Sequence, residues 1–169
     1  PSGSRNKYEL DKESGLFRLD RVLYSAVHYP ADYGFIPRTL AEDGDPADIL
    51  VLLNEPTFPG CQIDARPIGV LRMTDRGEPD DKILAVPSND PFYEEYFDIA
   101  DIPQHYLREV EHFFHIYKDL EGKRVQTIGW EQAPRAVRLN REALERYIEP
   151  FVVPRDPCAH GTGLPGPER

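Results

Sequence analysis

Short apolar runs separated by Gly- and Pro-rich turns dominate the first half of the chain and predict β-strands. Runs at 7–10 and 16–23 flank a turn at 11–15 and predict a hairpin, and further strands are predicted at 49–53, 63–74, 82–86 and 124–128. The aromatic stretch 29–37, with two prolines and a glycine, predicts a packed connection rather than a helix or a plain solvent loop. Strands of this length and spacing favour a small barrel or sandwich.

Helical periodicity appears only in the second half. Apolar residues recur at three- and four-residue steps from Asp101, with Pro103 in the first turn, and predict a helix that ends near Gly122. A second helix is predicted at 134–148 and is expected to end because of Pro150. We therefore expect one domain over residues 1–153, followed by a mobile Pro- and Gly-rich tail, 154–169.

Composition removes several classes of function. A net charge of -10 argues against a general nucleic-acid-binding protein, and no apolar stretch approaches the length of a membrane span. The two cysteines form neither a disulfide framework nor a zinc motif, which is typical of a cytoplasmic protein. We expect no nucleic-acid partner and no membrane partner.

Residues 43–48 carry three carboxylates in the sequence Asp-Gly-Asp-Pro-Ala-Asp, immediately before an apolar strand. Gly44 and Pro46 predict a rigid turn, and clustered carboxylates need cations such as Mg²⁺, Mn²⁺ or Ca²⁺. An EF-hand loop is excluded, because Ala47 and Asn54 stand where that motif requires ligands. The alternative is structural, with aspartates that cap backbone amides of the turn.

A second acidic loop contains Asp75 and Asp80 and precedes the strand predicted at 82–86. If that strand neighbours the one at 49–53, both acidic loops meet at one end of a barrel. More carboxylates would gather there than one Mg²⁺ uses, so the pattern favours paired metal ions and phosphoryl chemistry. Six residues could complete such a site, although each alone has a structural or surface interpretation: Lys7, Arg21, Tyr33, Lys82, Tyr117 and Lys118.

Arg21 illustrates the choice, because Phe17, Leu19 and Leu23 share its face of the predicted strand. It could be an edge arginine that lays its stem on the core, or a ligand of phosphate. The residues alone predict a metal-dependent enzyme that acts on a phosphate ester or anhydride.

Seven segments in fixed order resemble the soluble family I inorganic pyrophosphatases, in particular the bacterial type. The segments, which lie within residues 4–148, are Lys-Tyr-Glu at 7–9, Leu-Asp-Arg at 19–21, Tyr-Pro-Ala-Asp-Tyr-Gly-Phe-Ile at 29–36, the acidic turn at 43–48, Met-Thr-Asp at 73–75, Asp-Asp-Lys-Ile-Leu-Ala-Val-Pro at 80–87 and His-Phe-Phe-His-Ile-Tyr-Lys-Asp-Leu at 112–120. The resemblance implies an α+β, mainly β fold, with a small five-stranded OB-like closed barrel flanked by two main helices. It also implies a cytoplasmic homohexamer that hydrolyses pyrophosphate to two orthophosphates with several Mg²⁺ ions, for which Mn²⁺ could substitute.

The same resemblance assigns roles by position. It implies that metal-bound water is the nucleophile, that Asp45 is the general base, with Asp80 as the alternative, and that Asp48 bridges two ions. It places metal ligands at Asp43, Asp48, Asp75 and Asp80, with Glu9 in contact through water. The residues that it implies for phosphate binding are Lys7, Arg21, Tyr33, Tyr117 and Lys118, with Lys82 nearby.

Two departures from the family pattern are visible. Ala47 replaces a bulkier aliphatic residue, and a strand ending in Glu-Ile-Pro would precede Pro1 in the family. We expect either that the true start lies upstream or that the site lacks one carboxylate. Two other functions stay open: hydrolysis of other phosphoanhydrides such as nucleotides, although no P-loop supports it, and an acidic metal-binding module without catalysis.

Overall fold

A computed structural model describes residues 1–152 and shows a mainly β arrangement with two α-helices. The hairpin comprises β1 (Asn6–Leu10) and β2 (Phe17–Val22). The larger sheet comprises β3 (Asp32–Phe35), β4 (Asp48–Val51), β5 (Ala65–Asp75), β6 (Glu78–Pro79), β7 (Lys82–Pro87) and β8 (Val125–Gln132). The helices are α1 (Gln104–Ile116) and α2 (Ala133–Val152).

The predicted hairpin at the start of the chain is confirmed. β1 and β2 pair in antiparallel fashion, with Lys7 opposite Arg21. The turn between them closes because the Gly15 N–H donates to the carbonyl of Asp11 at 2.8 Å. Gly15 adopts φ 69°, a backbone angle that glycine tolerates without a steric penalty. The hairpin therefore presents Lys7 and Arg21 side by side.

The larger sheet is open, so the prediction of a closed barrel is wrong. Its order is β3–β4–β7–β5, with β6 and β8 both paired to β5. Closure would require the outermost strands to pair with each other. Within residues 1–152, β3 pairs only with β4 and β8 pairs only with β5. β1 and β2 form a separate two-stranded sheet and do not bridge that gap.

β3 lies in the segment that was predicted to be a packed connection, and that prediction is also wrong. Tyr33 pairs with Leu50 and Gly34 with Ile49 along an antiparallel ladder. Four residues are too short for a periodic pattern to be visible in the sequence, and the ladder with β4 supplies the hydrogen bonds. The strand orients Tyr33 next to the acidic turn.

The central strands are covered on both faces. Leu71 and Leu84 join the main core with α1, whereas Val70 and Ile83 join a smaller cluster beneath Ala136 of α2. Successive residues of a strand point to opposite faces, so adjacent positions reach different clusters. Every residue of β7 is buried as a result, and the sheet is a rigid support for the loops at its ends.

The helix ends differ from the prediction. α1 begins at Gln104 with Pro103 as its N-cap, whereas Asp101 belongs to a short 3-10 turn that precedes it. Gly122 ends a 3-10 turn after α1 in the left-handed conformation, as expected for a stop signal. α2 continues to Val152, so the prediction that Pro150 ends it is wrong. Proline lacks one N–H donor, and a helix near its end can lose a single hydrogen bond and continue.

The predicted tail, residues 154–169, lies outside the described residues. Between residues 1 and 152, neither helix combines the length and the apolar composition that are needed to cross a membrane.

Candidate active site

The two acidic loops meet, as the sequence predicted if their strands were neighbours, but at one end of an open sheet rather than of a barrel. β4 and β7 run parallel, with Asp48 opposite Lys82. β5 runs antiparallel to β7, so its C-terminal residue, Asp75, lies at the same end. A cavity of about 450 Å³ opens there. All the predicted site residues line it: Lys7, Glu9, Arg21, Tyr33, Asp43, Asp45, Asp48, Asp75, Asp80, Lys82, Tyr117 and Lys118.

The acidic turn is shaped by its own backbone. Gly44 has φ 88°, which favours glycine, and the Asp43 carboxylate accepts the Asp45 N–H at 3.0 Å. The Ala41 N–H donates to the Asp45 carbonyl at 2.7 Å. Asp43 thus has the structural capping contact that the sequence left open. The Asp45 side chain is 75% exposed, and its one ion pair among the described residues is with Lys12 at 3.8 Å.

A buried lysine lies between the two acidic loops. Lys82 is 1% exposed, and its ammonium contacts Asp48 at 2.6 Å and also contacts Asp80. Burial disfavours the charged ammonium, but the two carboxylates outweigh burial and raise the pKa of Lys82. Burial raises the pKa of the Asp80 carboxyl, although Lys82 opposes that effect. Tyr33 completes the group, because its hydroxyl donates to Asp48 at 2.6 Å.

A second lysine serves the loop after β5. The Lys118 ammonium lies 2.7 Å from the Asp75 Oδ2, and both side chains are largely buried. The other carboxylate oxygen, Asp75 Oδ1, is buried and has no hydrogen-bond partner among the described residues. An unpartnered buried carboxylate oxygen is costly, so this atom needs a cation or a donor from outside the described residues.

The donor set fits a hard divalent cation in chemistry. Asp43, Asp48, Asp75 and Asp80 supply carboxylate oxygens, which Mg²⁺ prefers to nitrogen or sulfur ligands. Within residues 1–152, no three acidic, histidine or cysteine side chains converge closely enough to hold an ion as they stand. The ammonium groups of Lys82 and Lys118 contact three of these carboxylates. Chelation would therefore require the carboxylates to exchange lysine contacts for metal contacts.

Arg21 lines the cavity, and ion pairs hold its guanidinium there. It pairs with Asp20 and Glu121, each at 2.8 Å. Asp20 is the main cause that raises the pKa of Arg21. Burial alone would raise the pKa of Glu121, but Lys123 and Arg21 outweigh it and lower that pKa. Lys7 lies nearby, in contact with Glu9 and 3.4 Å from Asp20.

Sequence reasoning missed several residues that line the cavity, among them Tyr29, Phe114 and Glu121. Tyr29 stacks on Tyr33 with ring centroids 5.5 Å apart, and its buried hydroxyl has no partner among the described residues. Burial is the main cause that raises the pKa of the Tyr29 phenol, so the group stays protonated and can donate. Their positions in the sequence could have indicated these residues, because Tyr29 belongs to the aromatic stretch 29–37 and Glu121 follows Lys118 by three residues.

Comparisons with known proteins give one consistent result. A family model described as inorganic pyrophosphatase matches residues 1–148. The inorganic pyrophosphatase of Geobacillus stearothermophilus is 56% identical over 149 residues, which cover 88% of this chain and 90% of that protein. The crystal structure of inorganic pyrophosphatase from Thermus thermophilus matches with a TM-score of 0.84 at 45% identity, over 87% of this chain and 86% of that one. The Helicobacter pylori inorganic pyrophosphatase matches with a TM-score of 0.84 at 45% identity, over 86% and 88%.

Proposed function

Because the chain belongs to the inorganic pyrophosphatase family, we propose that it hydrolyses pyrophosphate to two orthophosphates in the cavity described above, with Mg²⁺ as the required metal. The observation that carries this proposal is the joint presence of carboxylates and cations around one opening. Pyrophosphate is a compact polyanion, so its site needs fixed positive charge on one side and metal ligands on the other.

The cationic wall would bind the phosphates. Lys7, Arg21 and Lys118 line the cavity and come from the hairpin and from the segment after α1. Tyr33 and Tyr117 add phenol groups whose pKa values burial raises, so they remain hydrogen-bond donors. Lys118 now contacts Asp75, and a phosphate oxygen would compete with that carboxylate for its ammonium. Positioning and neutralisation of this kind dominate catalysis of phosphoryl transfer.

The acidic wall would hold the metal. We assign Asp43, Asp48, Asp75 and Asp80 as direct ligands, with Glu9 in contact through water. The buried, unpartnered Oδ1 of Asp75 supports this assignment. When bound, Mg²⁺, or Mn²⁺ in its place, would polarise phosphoryl oxygens and lower the pKa of coordinated water toward ~7. Lys82 would keep Asp48 and Asp80 together in the absence of substrate.

Asp45 is our candidate for the general base. Its carboxylate faces the cavity, and its one ion pair among the described residues is a long contact with Lys12. A base must be able to approach the nucleophile and release its proton afterwards, and a weakly paired side chain meets both needs. Asp80 is the alternative, but it is bound to Lys82 in the structure.

The test is release of phosphate from pyrophosphate by the purified chain, with Mg²⁺ and with EDTA. We expect hydrolysis only with the metal, and a strong preference for pyrophosphate over ATP. Equal turnover of ATP would favour a general phosphoanhydride hydrolase. Binding of Mg²⁺ without any turnover would favour a metal-binding module and would overturn the proposal.

A further inference from the structure

Thr39 is one of the few polar residues that are buried in the described part of the chain, at 4% exposure. Its hydroxyl donates to the carbonyl of Ile36 and accepts the N–H of Ala47, at 2.9 Å for the second bond. Both functions of the hydroxyl are therefore used. Thr39 does not line the cavity of the candidate active site, so it has no direct contact with a substrate there.

The two bonds cross the base of the acidic turn. Ile36 follows β3 and Ala47 precedes β4, and the Ile36 N–H also donates to the Ala47 carbonyl at 2.9 Å. Residues 36–47 thus form a loop whose two ends are hydrogen-bonded to each other, and the buried Thr39 hydroxyl also links these two ends. Arg38, next to Thr39, has φ 60°, an angle that non-glycine residues seldom adopt. Surrounding contacts must hold such a residue in place.

The end of this loop at Ala47 determines where the Asp48 side chain lies. Ala47 is 2% exposed and directly precedes Asp48, whose carboxylate contacts Tyr33 and Lys82. The Ala47 N–H has Thr39 as its acceptor, so loss of the hydroxyl leaves a buried amide unsatisfied. The backbone would then shift to find water, and Asp48 would move with it.

We propose that Thr39 is a positioning residue, whose hydroxyl fixes the return of the acidic turn and thereby the Asp48 carboxylate for the metal. This inference rests on the proposed function, because it assumes that Asp48 is a metal ligand. Groups that orient metal ligands are worth about 10–100-fold in metal affinity. A hydroxyl that served only general stability would leave affinity for the metal unchanged.

The test compares Thr39→Val, which keeps the shape and removes the hydroxyl, with Thr39→Ser, which keeps the hydroxyl. We expect Thr39→Val to weaken Mg²⁺ binding by roughly tenfold or more in calorimetry without substrate, and Thr39→Ser to stay within about twofold of wild type. The amide of Ala47 should exchange faster in Thr39→Val, measured by NMR, whereas the amides of β7 keep their protection. If Thr39→Val does not fold, Thr39→Cys replaces it, because a thiol is a weak acceptor of similar volume.

Thr57→Val is the matched control. The Thr57 hydroxyl donates to the buried Asp32 carboxylate, and Thr57 does not line the cavity. This variant should lose stability while its Mg²⁺ affinity stays unchanged. Wild-type Mg²⁺ affinity in Thr39→Val, or an equal loss of affinity in Thr57→Val, overturns the positioning role. Failure of the proposed function is a separate result, because it would appear as absent hydrolysis in the wild-type chain.

Discussion

Removal of the buried ammonium between the two acidic loops should destabilise the fold, and Mg²⁺ should restore part of the loss. Lys82→Met keeps a side chain of comparable length but leaves Asp48 and Asp80 facing each other without a cation. Two carboxylates that share a site repel each other and are poorly solvated. The substitution therefore tests how much the positive charge of Lys82 stabilises this end of the sheet.

The size of the expected loss in stability depends on how far the side chains of Lys82, Asp48 and Asp80 are buried. The Lys82 side chain is 2% exposed, Asp80 is 16% exposed and Asp48 is 27% exposed. Removal of one partner from a buried pair costs about 3–5 kcal/mol. Because Asp48 is partly solvated, we expect the lower end, about 3 kcal/mol. For a chain of this size that loss corresponds to a fall of roughly 6–12 °C in Tm.

The assay is thermal unfolding followed by circular dichroism, at fixed protein concentration, in EDTA and in Mg²⁺. Lys12→Met is the control, because Lys12 makes a 3.8 Å ion pair with Asp45 in which both side chains are largely exposed. Exposed pairs contribute little, so this variant should melt with the wild type. A lower pH should also narrow the difference for Lys82→Met, because protonation of one carboxyl removes the repulsion.

A ligand that binds only the folded state stabilises it by mass action. Mg²⁺ should therefore raise the Tm of Lys82→Met more than that of the wild type, because the cation supplies the charge that the lysine lost. Two results would refute the reasoning. One is a Tm for Lys82→Met in EDTA that matches wild type, and the other is a deficit that Mg²⁺ leaves unchanged.

Other substitutions test the base, the pH dependence of folding, the packing of the sheet and the assembly. Asp45→Asn should lower kcat about 100-fold or more with little change in Mg²⁺ affinity by calorimetry, and wild-type turnover would exclude Asp45 as the base. Burial opposes ionisation of Asp32, but hydrogen bonds from Thr57 and Ser2 outweigh burial and lower the pKa of Asp32. The ionised carboxylate therefore stabilises the fold above pH ~4, and this contribution is lost as the pH falls through the lower pKa of the folded state. In Asp32→Asn, the free energy of unfolding from urea titrations should therefore fall less at acid pH than in the wild type. The same acid-pH dependence in both proteins would contradict this role of Asp32. Gly69→Ala would place a Cβ 2.1 Å from Ile99 Cγ2 and 3.0 Å from a backbone oxygen. We therefore expect the free energy of unfolding to fall by about 1–3 kcal/mol in urea denaturation, and an unchanged value would mean that the segment around Ile99 shifts to make room. Light scattering should show a hexamer, as the family resemblance implies, and a monomeric mass would contradict it.

The candidate site was largely predictable because its signals are local. The acidic turn combines Gly44 and Pro46 with three carboxylates, and that composition restricts both its shape and its chemistry. The ordered segments around it predicted the family, which the comparisons confirm. All the named residues do line one cavity, although their individual roles stay predictions.

The errors come from features that depend on distant parts of the chain. β3 is a strand because β4 lies beside it, and no pattern within four residues could show that. The sheet stays open because β3 and β8 each find one partner, and the choice of strand partners is not encoded in any single run. α2 passes Pro150 although the local rule favours a stop.

The sequence by itself determined the hairpin, the approximate course of two helices, the acidic turn and the family. Local propensity and composition act over a few residues, so they can be read along the chain. Only the tertiary structure decided that β4 and β7 run parallel, which brings Asp48 beside Lys82. It also decided that Thr39 closes the acidic turn from inside and that Lys82 is buried between two carboxylates. Burial and register arise from contacts between residues far apart in sequence, and these contacts set the charges that the candidate site presents.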